Sequence, residues 1–66
     1  MSYTISEQIA EVRRELAVRV QVNKRILQRE PQQRKKLEHQ WLAMRAVLET
    51  LESVKSVQQS LESFTE

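Results

Sequence analysis

Pro31 is the only proline in a 66-residue chain that contains no glycine, and it separates two long amphipathic segments. The residue before a proline is disfavoured in the α-helical conformation, whereas proline itself suits the first position of a helix. Tight β-hairpin turns usually depend on glycine, so the composition disfavours a sheet. The sequence therefore predicts an all-α chain of two helices joined by a turn at about residues 30–31.

The first helix is predicted over about residues 5–29. Thr4 and Glu7 have the three-residue spacing of a capping box, in which Thr4 is the N-cap. Downstream, apolar residues recur every three or four positions and form one stripe of a helix. The stripe consists of Ile5, Ile9, Val12, Leu16, Val20, Asn23 and Leu27.

The second helix is predicted over about residues 32–61. Its stripe has steps of four, three, four and three residues, and consists of Leu37, Trp41, Met44, Leu48 and Leu51. Beyond Glu52 the apolar residues are Val54, Val57, Leu61 and Phe64, which lie roughly a quarter turn away from that stripe if the helix is continuous. Either the helix continues and offers this face to another chain, or it breaks near residues 53–56. We favour continuation to about residue 61.

A short connection makes the two helices antiparallel neighbours, so the predicted fold is a helical hairpin. One seam between two helices is a thin core for a chain of this length without disulfides, and pairing two hairpins into a four-helix bundle would cover more apolar surface. We therefore predict a homodimer. The predicted core and dimer-packing residues are Ile9, Val12, Leu16, Val20, Leu27, Leu37, Trp41, Met44, Leu48 and Leu51.

Two further features of the first helix have two interpretations each. Asn23 lies on the apolar stripe, where it either fixes the register of packing through a hydrogen bond or sits solvated at the stripe's edge. Val18 and Val22 lie on the far side of the helix, with Ile26 between the two faces. These three residues are a candidate second interface, and the alternative is a chance surface patch.

Charge is unevenly distributed along the chain. Residues 13–36 contain nine basic and two acidic side chains, a net charge of +7, whereas the flanking residues have a net charge of −5. Lys24 and a cluster on both sides of the turn make the hairpin tip basic. The candidate contacts to an anionic partner or nucleic acid in this cluster are Arg25, Arg29, Arg34, Lys35 and Lys36.

The basic tip has three possible counterparts. Phosphates or an acidic protein would complement it. Two observations argue against nucleic acid as the counterpart: the cluster has no interleaved aromatic residues, and it contains no recognisable nucleic-acid-binding motif. In an antiparallel dimer, the acidic end of the other hairpin would face the tip instead. The acidic residues of that end are Glu7, Glu11, Glu49 and Glu52.

Catalysis has little support in the sequence. His39 is the only histidine, there is no cysteine, and no glycine-rich phosphate loop is present. A single histidine without other strong ligands does not make a zinc site. We expect a protein that is not an enzyme and uses no cofactor or metal. The short apolar runs also predict no membrane segment and no signal peptide, so we expect a cytoplasmic protein.

The chain resembles a group of small helical proteins encoded by bacteriophages and prophages. The similarity covers about residues 7–52 and rests on Glu11-Val12-Arg13-Arg14-Glu15-Leu16-Ala17, a basic middle segment, and Met44-Arg45-Ala46-Val47-Leu48-Glu49-Thr50-Leu51. The resemblance implies a phage origin and supplies no catalytic residues. The leading hypothesis is a non-enzymatic phage or prophage accessory protein that dimerises and binds a host or phage protein. The alternatives are a small nucleic-acid-binding factor and a structural component of a phage assembly.

Overall fold

The computed structural model describes residues 2–64. Met1, Thr65 and Glu66 lie outside the described residues, and Glu66 is one of the acidic residues that give the flanks their net charge of −5. Helix α1 spans Ile5–Arg29, a single 3₁₀ turn spans Pro31–Gln33, and helix α2 spans Arg34–Phe64. The prediction of an all-α hairpin is confirmed. The described residues form an elongated body of 56 × 21 × 17 Å.

The N-terminus of α1 is closed by the capping box that the sequence predicts. The backbone N–H of Glu7 donates to Thr4 Oγ1 at 3.1 Å, and the Thr4 N–H donates to Glu7 Oε1 at 3.1 Å. These two bonds satisfy two of the N–H groups that the first turn of a helix leaves without intrahelical partners.

Glu7 should titrate below the ordinary range of a glutamate. Its pKa is lowered first by the backbone hydrogen bond from Thr4 and then by the Thr4 side chain, with a small opposing effect of desolvation. Because the folded pKa is the lower one, the stabilisation by the ionised carboxylate is present above the unfolded pKa and is lost as pH falls through the folded pKa.

We expect Thr4→Ala to move the Glu7 pKa back towards its ordinary value and to cost about 1 kcal/mol of stability. A carboxyl-detected NMR titration and thermal unfolding would measure these effects, with Ser2→Ala as the control. An unchanged Glu7 pKa in Thr4→Ala would contradict the role of the threonine side chain.

The chain turns back on itself without glycine. The Glu30 N–H donates to the Ile26 carbonyl at 2.7 Å and caps α1, and the Gln33 N–H donates to the Glu30 carbonyl at 3.0 Å. Within residues 2–64 no residue has a positive φ. Pro31 occupies the first position of the 3₁₀ turn, where its missing N–H costs no helical hydrogen bond.

The two helices pack along one seam of limited depth. Ile9 and Leu16 of α1 are the only buried residues in the described part, at 5% and 8% exposure. The facing stripe of α2 is half-buried, with steps of four, three, four, three and four residues. It consists of Leu37, Trp41, Met44, Leu48, Leu51 and Lys55.

Lys55 continues this stripe beyond the last predicted position. It is half-buried and lines the same groove as Ile9 and Glu52. A lysine can cover apolar surface with its aliphatic stem while its ammonium group stays in water. At the same level Arg13 donates to Glu52 Oε2 at 2.8 Å, the one ion pair between the two helices in residues 2–64.

Val20, predicted to pack in the core or at the dimer interface, is exposed in the single hairpin. It is 39% exposed, and it lines an open groove of about 240 Å³ beside Asn23, Leu37 and Trp41. No residue of α1 between Leu16 and Val22 is even half-buried, whereas Asn23 and Leu27 are.

Two of the three candidate residues of a second interface, Val22 and Ile26, are partly covered within the hairpin itself. Both are half-buried, and only Val18, at 45% exposure, is open to solvent. Ile26 lies near the end of α1, where the 3₁₀ turn packs back on the helix. Val22 is one turn earlier on the same face of the helix.

Two polar atoms are buried along the seam without a hydrogen bond. They are Asn23 Oδ1 and Trp41 Nε1, which line the same groove between the helices. Asn23 is therefore not a solvated edge residue. The outer face of the Trp41 ring is covered by the Arg45 guanidinium, 5.6 Å from the ring centroid.

Candidate functional site

The hairpin tip brings together basic residues from both helices. Three of them lie in the last two turns of α1 and three in the first turn of α2, and all six are exposed. Glu30 and Glu38 are the acidic residues nearest to them, so the tip has a net charge of +4. The six residues, called the basic tip below, are Lys24, Arg25, Arg29, Arg34, Lys35 and Lys36.

None of the six makes an ion pair or a side-chain hydrogen bond with another residue in the range 2–64. Every arginine outside the basic tip does. The four pairs are Arg13 with Glu52 at 2.8 Å, Arg14 with Glu11 at 2.7 Å, Arg19 with Glu15 at 3.1 Å and Arg45 with Glu49 at 3.8 Å.

The start of α2 is an unfavourable place for cations. The first turn of this helix contains no acidic residue, and Arg34, Lys35 and Lys36 lie at the positive end of the helix dipole. Each such placement costs a few tenths of a kcal/mol. Local stability therefore does not account for this half of the basic tip.

The acidic end of the hairpin is already engaged within its own chain. Glu7 belongs to the capping box, Glu11 and Glu49 pair with arginines of their own helices, and Glu52 pairs with Arg13. Hydrogen bonding and charge attraction from Arg14 lower the pKa of Glu11, and Glu11 in turn raises the pKa of Arg14. These contacts weaken the alternative in which a second hairpin's acidic end neutralises the basic tip.

His39 is exposed and lines an open groove with Gln40, Ala43 and Val12. In the described residues no group of three or more histidine, cysteine or acidic side chains is arranged to hold a metal ion. Neither helix, over residues 5–64, contains a stretch apolar enough to cross a membrane.

A second apolar face runs along the outside of α2, and the sequence analysis identified only part of it. Because α2 is continuous to Phe64, seven residues with steps of four, three, four, three, four and three form one line. We call this line the outer seam; it consists of Ala43, Val47, Thr50, Val54, Val57, Leu61 and Phe64. It lies roughly 80–180° around the helix from the stripe that packs on α1.

The outer seam is exposed along its length. The exposed fractions are 51% for Val47, 40% for Val54, 58% for Val57, 60% for Leu61 and 86% for Phe64. The alternating spacing was present in the sequence. The small Ala43 and the polar Thr50 interrupt the run of large apolar residues and make the line hard to recognise from the sequence alone.

No protein-family profile, curated protein or solved structure matches this chain.

Proposed function

We propose that the chain is a non-enzymatic accessory protein of phage or prophage origin that forms a homodimer in the bacterial cytoplasm. In this proposal it binds and modulates an acidic host or phage protein through the basic tip. The observation that carries the proposal is the contrast in pairing: four arginines elsewhere are neutralised by neighbouring carboxylates, whereas six cations at the tip are not.

Exposed charges raise the rate at which a protein associates with a partner of opposite charge. They also make the protein discriminate against partners of like charge. A hairpin tip also presents the ends of two helices at once, so a partner meets guanidinium and ammonium groups from both sides of the turn. The acidic residues that would neutralise the tip within a dimer are occupied within their own hairpins. A separate anionic partner is therefore the better complement.

Placement of the aromatic residues favours a protein partner over nucleic acid. Proteins that bind single strands stack bases on aromatic side chains beside a basic groove. Tyr3 and Phe64 lie far along the helices from the turn, and Trp41 is half-buried under Arg45. The basic tip therefore offers charge without a stacking surface.

The proposal predicts that neutralising half of the basic tip weakens partner capture about tenfold. The test variant is Arg34→Gln/Lys35→Gln/Lys36→Gln, since three exposed charge pairs at about 0.5 kcal/mol each amount to roughly one factor of ten. The control, Arg13→Gln/Arg14→Gln/Arg45→Gln, removes the same charge away from the tip. Both variants and the wild type would be immobilised and exposed to nuclease-treated bacterial lysate, and the bound proteins identified by mass spectrometry.

We expect the wild type and the control to retain the same acidic protein and the tip variant to lose it. Equal retention by the tip variant, or no retention by any bait at micromolar concentration, would refute a tip-directed protein partner. Capture that disappears on nuclease treatment, together with steeply salt-dependent binding of duplex DNA, would favour the nucleic-acid alternative.

A further inference from the structure

We infer that the outer seam is the surface through which two copies of this chain associate, with the two α2 helices packed antiparallel. This inference deepens the homodimer in the proposed function and rests on that part of it.

A repeat of alternating four- and three-residue steps is the pattern of a helix that packs against another helix over a long distance. The outer seam maintains this pattern over three heptads, with Val47, Val54 and Leu61 at one core position. Ala43, Thr50, Val57 and Phe64 occupy the other. The Thr50 hydroxyl donates to the Ala46 carbonyl at 3.1 Å, so its polarity is already satisfied within the helix. Its methyl group can therefore contribute to an apolar interface.

The positions of α2 that flank the outer seam are uncharged. The residues on its open side are Ala46, Ser53 and Ser60, and those on the side nearer to α1 are Met44, Leu51 and Gln58. Charges at these flanking positions usually decide which helices pair in a coiled coil. Their absence means that an identical helix is not repelled, and the small residues on the open side allow close approach.

The basic tip selects the antiparallel orientation. Two parallel α2 helices would place two tips, each with a net charge of +4, side by side. In an antiparallel pair centred near Glu52, the turns lie about 60 Å apart at 1.5 Å per residue. That separation is far beyond the screening length of about 8 Å at physiological salt.

The shape of the groove between the helices selects the register. An open groove of about 720 Å³ is lined by Val12 of α1 and by Gln40, Ala43 and Val47 of α2, and the charged residues Glu11, Arg14 and Glu15 of α1 line it as well. In an antiparallel pair centred near Glu52, Leu61 of the second copy lies opposite Ala43, and its Phe64 lies opposite Gln40. The two largest side chains of the outer seam, Leu61 and Phe64, then meet its smallest residue, Ala43, and this groove.

The first test compares the solution masses of two matched double variants. Val54→Asp/Leu61→Asp places two charges in the outer seam, and Val18→Asp/Leu42→Asp places two charges at residues of similar exposure, 45% and 52%, outside it. Light scattering should give about 16 kDa for the wild type and the control, twice the 7.9 kDa of one chain. The seam variant should give the mass of one chain while retaining helical circular dichroism.

A second test does not depend on the seam variant folding alone. The chain has no cysteine, so Val47→Cys and Val57→Cys introduce unique thiols. In the inferred register, residue 47 of one copy faces residue 57 of the other. Residue 47 lies about 15 Å along the helix axis from residue 47 of the other copy, and the same separation applies to residue 57. Mixing the two variants under mild oxidation should give a disulfide-linked pair in high yield, and each variant alone should give little.

A monomeric wild type, a dimeric seam variant, or a mixture that does not cross-link would overturn the inference. Self-linking of Val47→Cys alone would overturn the antiparallel orientation. If the seam variant unfolds, the cross-linking result decides. The tip variant Arg34→Gln/Lys35→Gln/Lys36→Gln should remain dimeric, so loss of partner capture and loss of self-association are separate outcomes.

Discussion

Leu16→Ala should lower the free energy of unfolding by about 2–3 kcal/mol. Leu16 and Ile9 are the only buried residues of the described chain. We expect the lower part of the usual range for buried leucines, because only one other helix bounds the side chain. A single core in a chain this short rarely supplies more than about 3–5 kcal/mol, so the variant should be largely unfolded well below the wild-type midpoint.

Leu42→Ala is the matched control, since it makes the same chemical change on the same kind of helix at a residue that is 52% exposed. Its effect should lie within about 0.5 kcal/mol. Urea denaturation followed by far-ultraviolet circular dichroism would measure both variants at one protein concentration, because self-association makes apparent stability depend on concentration. Equal losses in the two variants would mean that the seam between α1 and α2 does not form the core.

The elements of this fold that depend on local pattern were predictable from the sequence. The capping box at Thr4 and Glu7 requires only two residues three positions apart, and both of its hydrogen bonds are present. The turn follows from Pro31, and the facing stripe of α2 follows from the spacing between Leu37 and Leu51. Each of these features depends on residues within one or two turns of each other.

Features that depend on the relative size of facing side chains were not predictable. Val20 has the right spacing for the core but lies beside Trp41 in an open groove. Lys55 has a charged side chain and would not be assigned to an apolar stripe, yet it is half-buried one turn after Leu51. A periodicity argument assigns a direction to each side chain, whereas burial also depends on what stands opposite.

The basic tip was likewise predictable only in part. The sequence locates the cluster on both sides of the turn, but it does not show which basic residues are neutralised. Arg13 pairs with Glu52, which is 39 positions away, and Arg14 pairs with Glu11, only three positions away. The unpaired state of the basic tip becomes evident only when such pairs are seen throughout the described chain.

Asn23→Leu should stabilise the protein by about 1–2 kcal/mol. Asn23 is half-buried on the apolar stripe of α1, and its Oδ1 atom is buried without a hydrogen-bond donor. Burying an unsatisfied polar atom costs about 1–3 kcal/mol, and leucine removes that cost while adding apolar contact beside Leu37 and Trp41. Gln21→Leu is the control, because it makes a similar change at an exposed position and should alter stability by less than about 0.5 kcal/mol.

The outcome also decides between two roles for the asparagine. If Asn23→Leu raises the unfolding midpoint and the protein keeps a single oligomeric state, the amide is a tolerated polar defect in a thin seam. If the variant is less stable or shows a mixture of masses, the amide makes a bond that specifies packing, as buried asparagines do in coiled coils.

The Trp41 Nε1–H, which lines the same groove and has no acceptor, is then the first donor to test by Trp41→Phe in the Asn23→Leu background. A coupling free energy above about 0.5 kcal/mol between the two substitutions would identify that pair, and additive effects would exclude it.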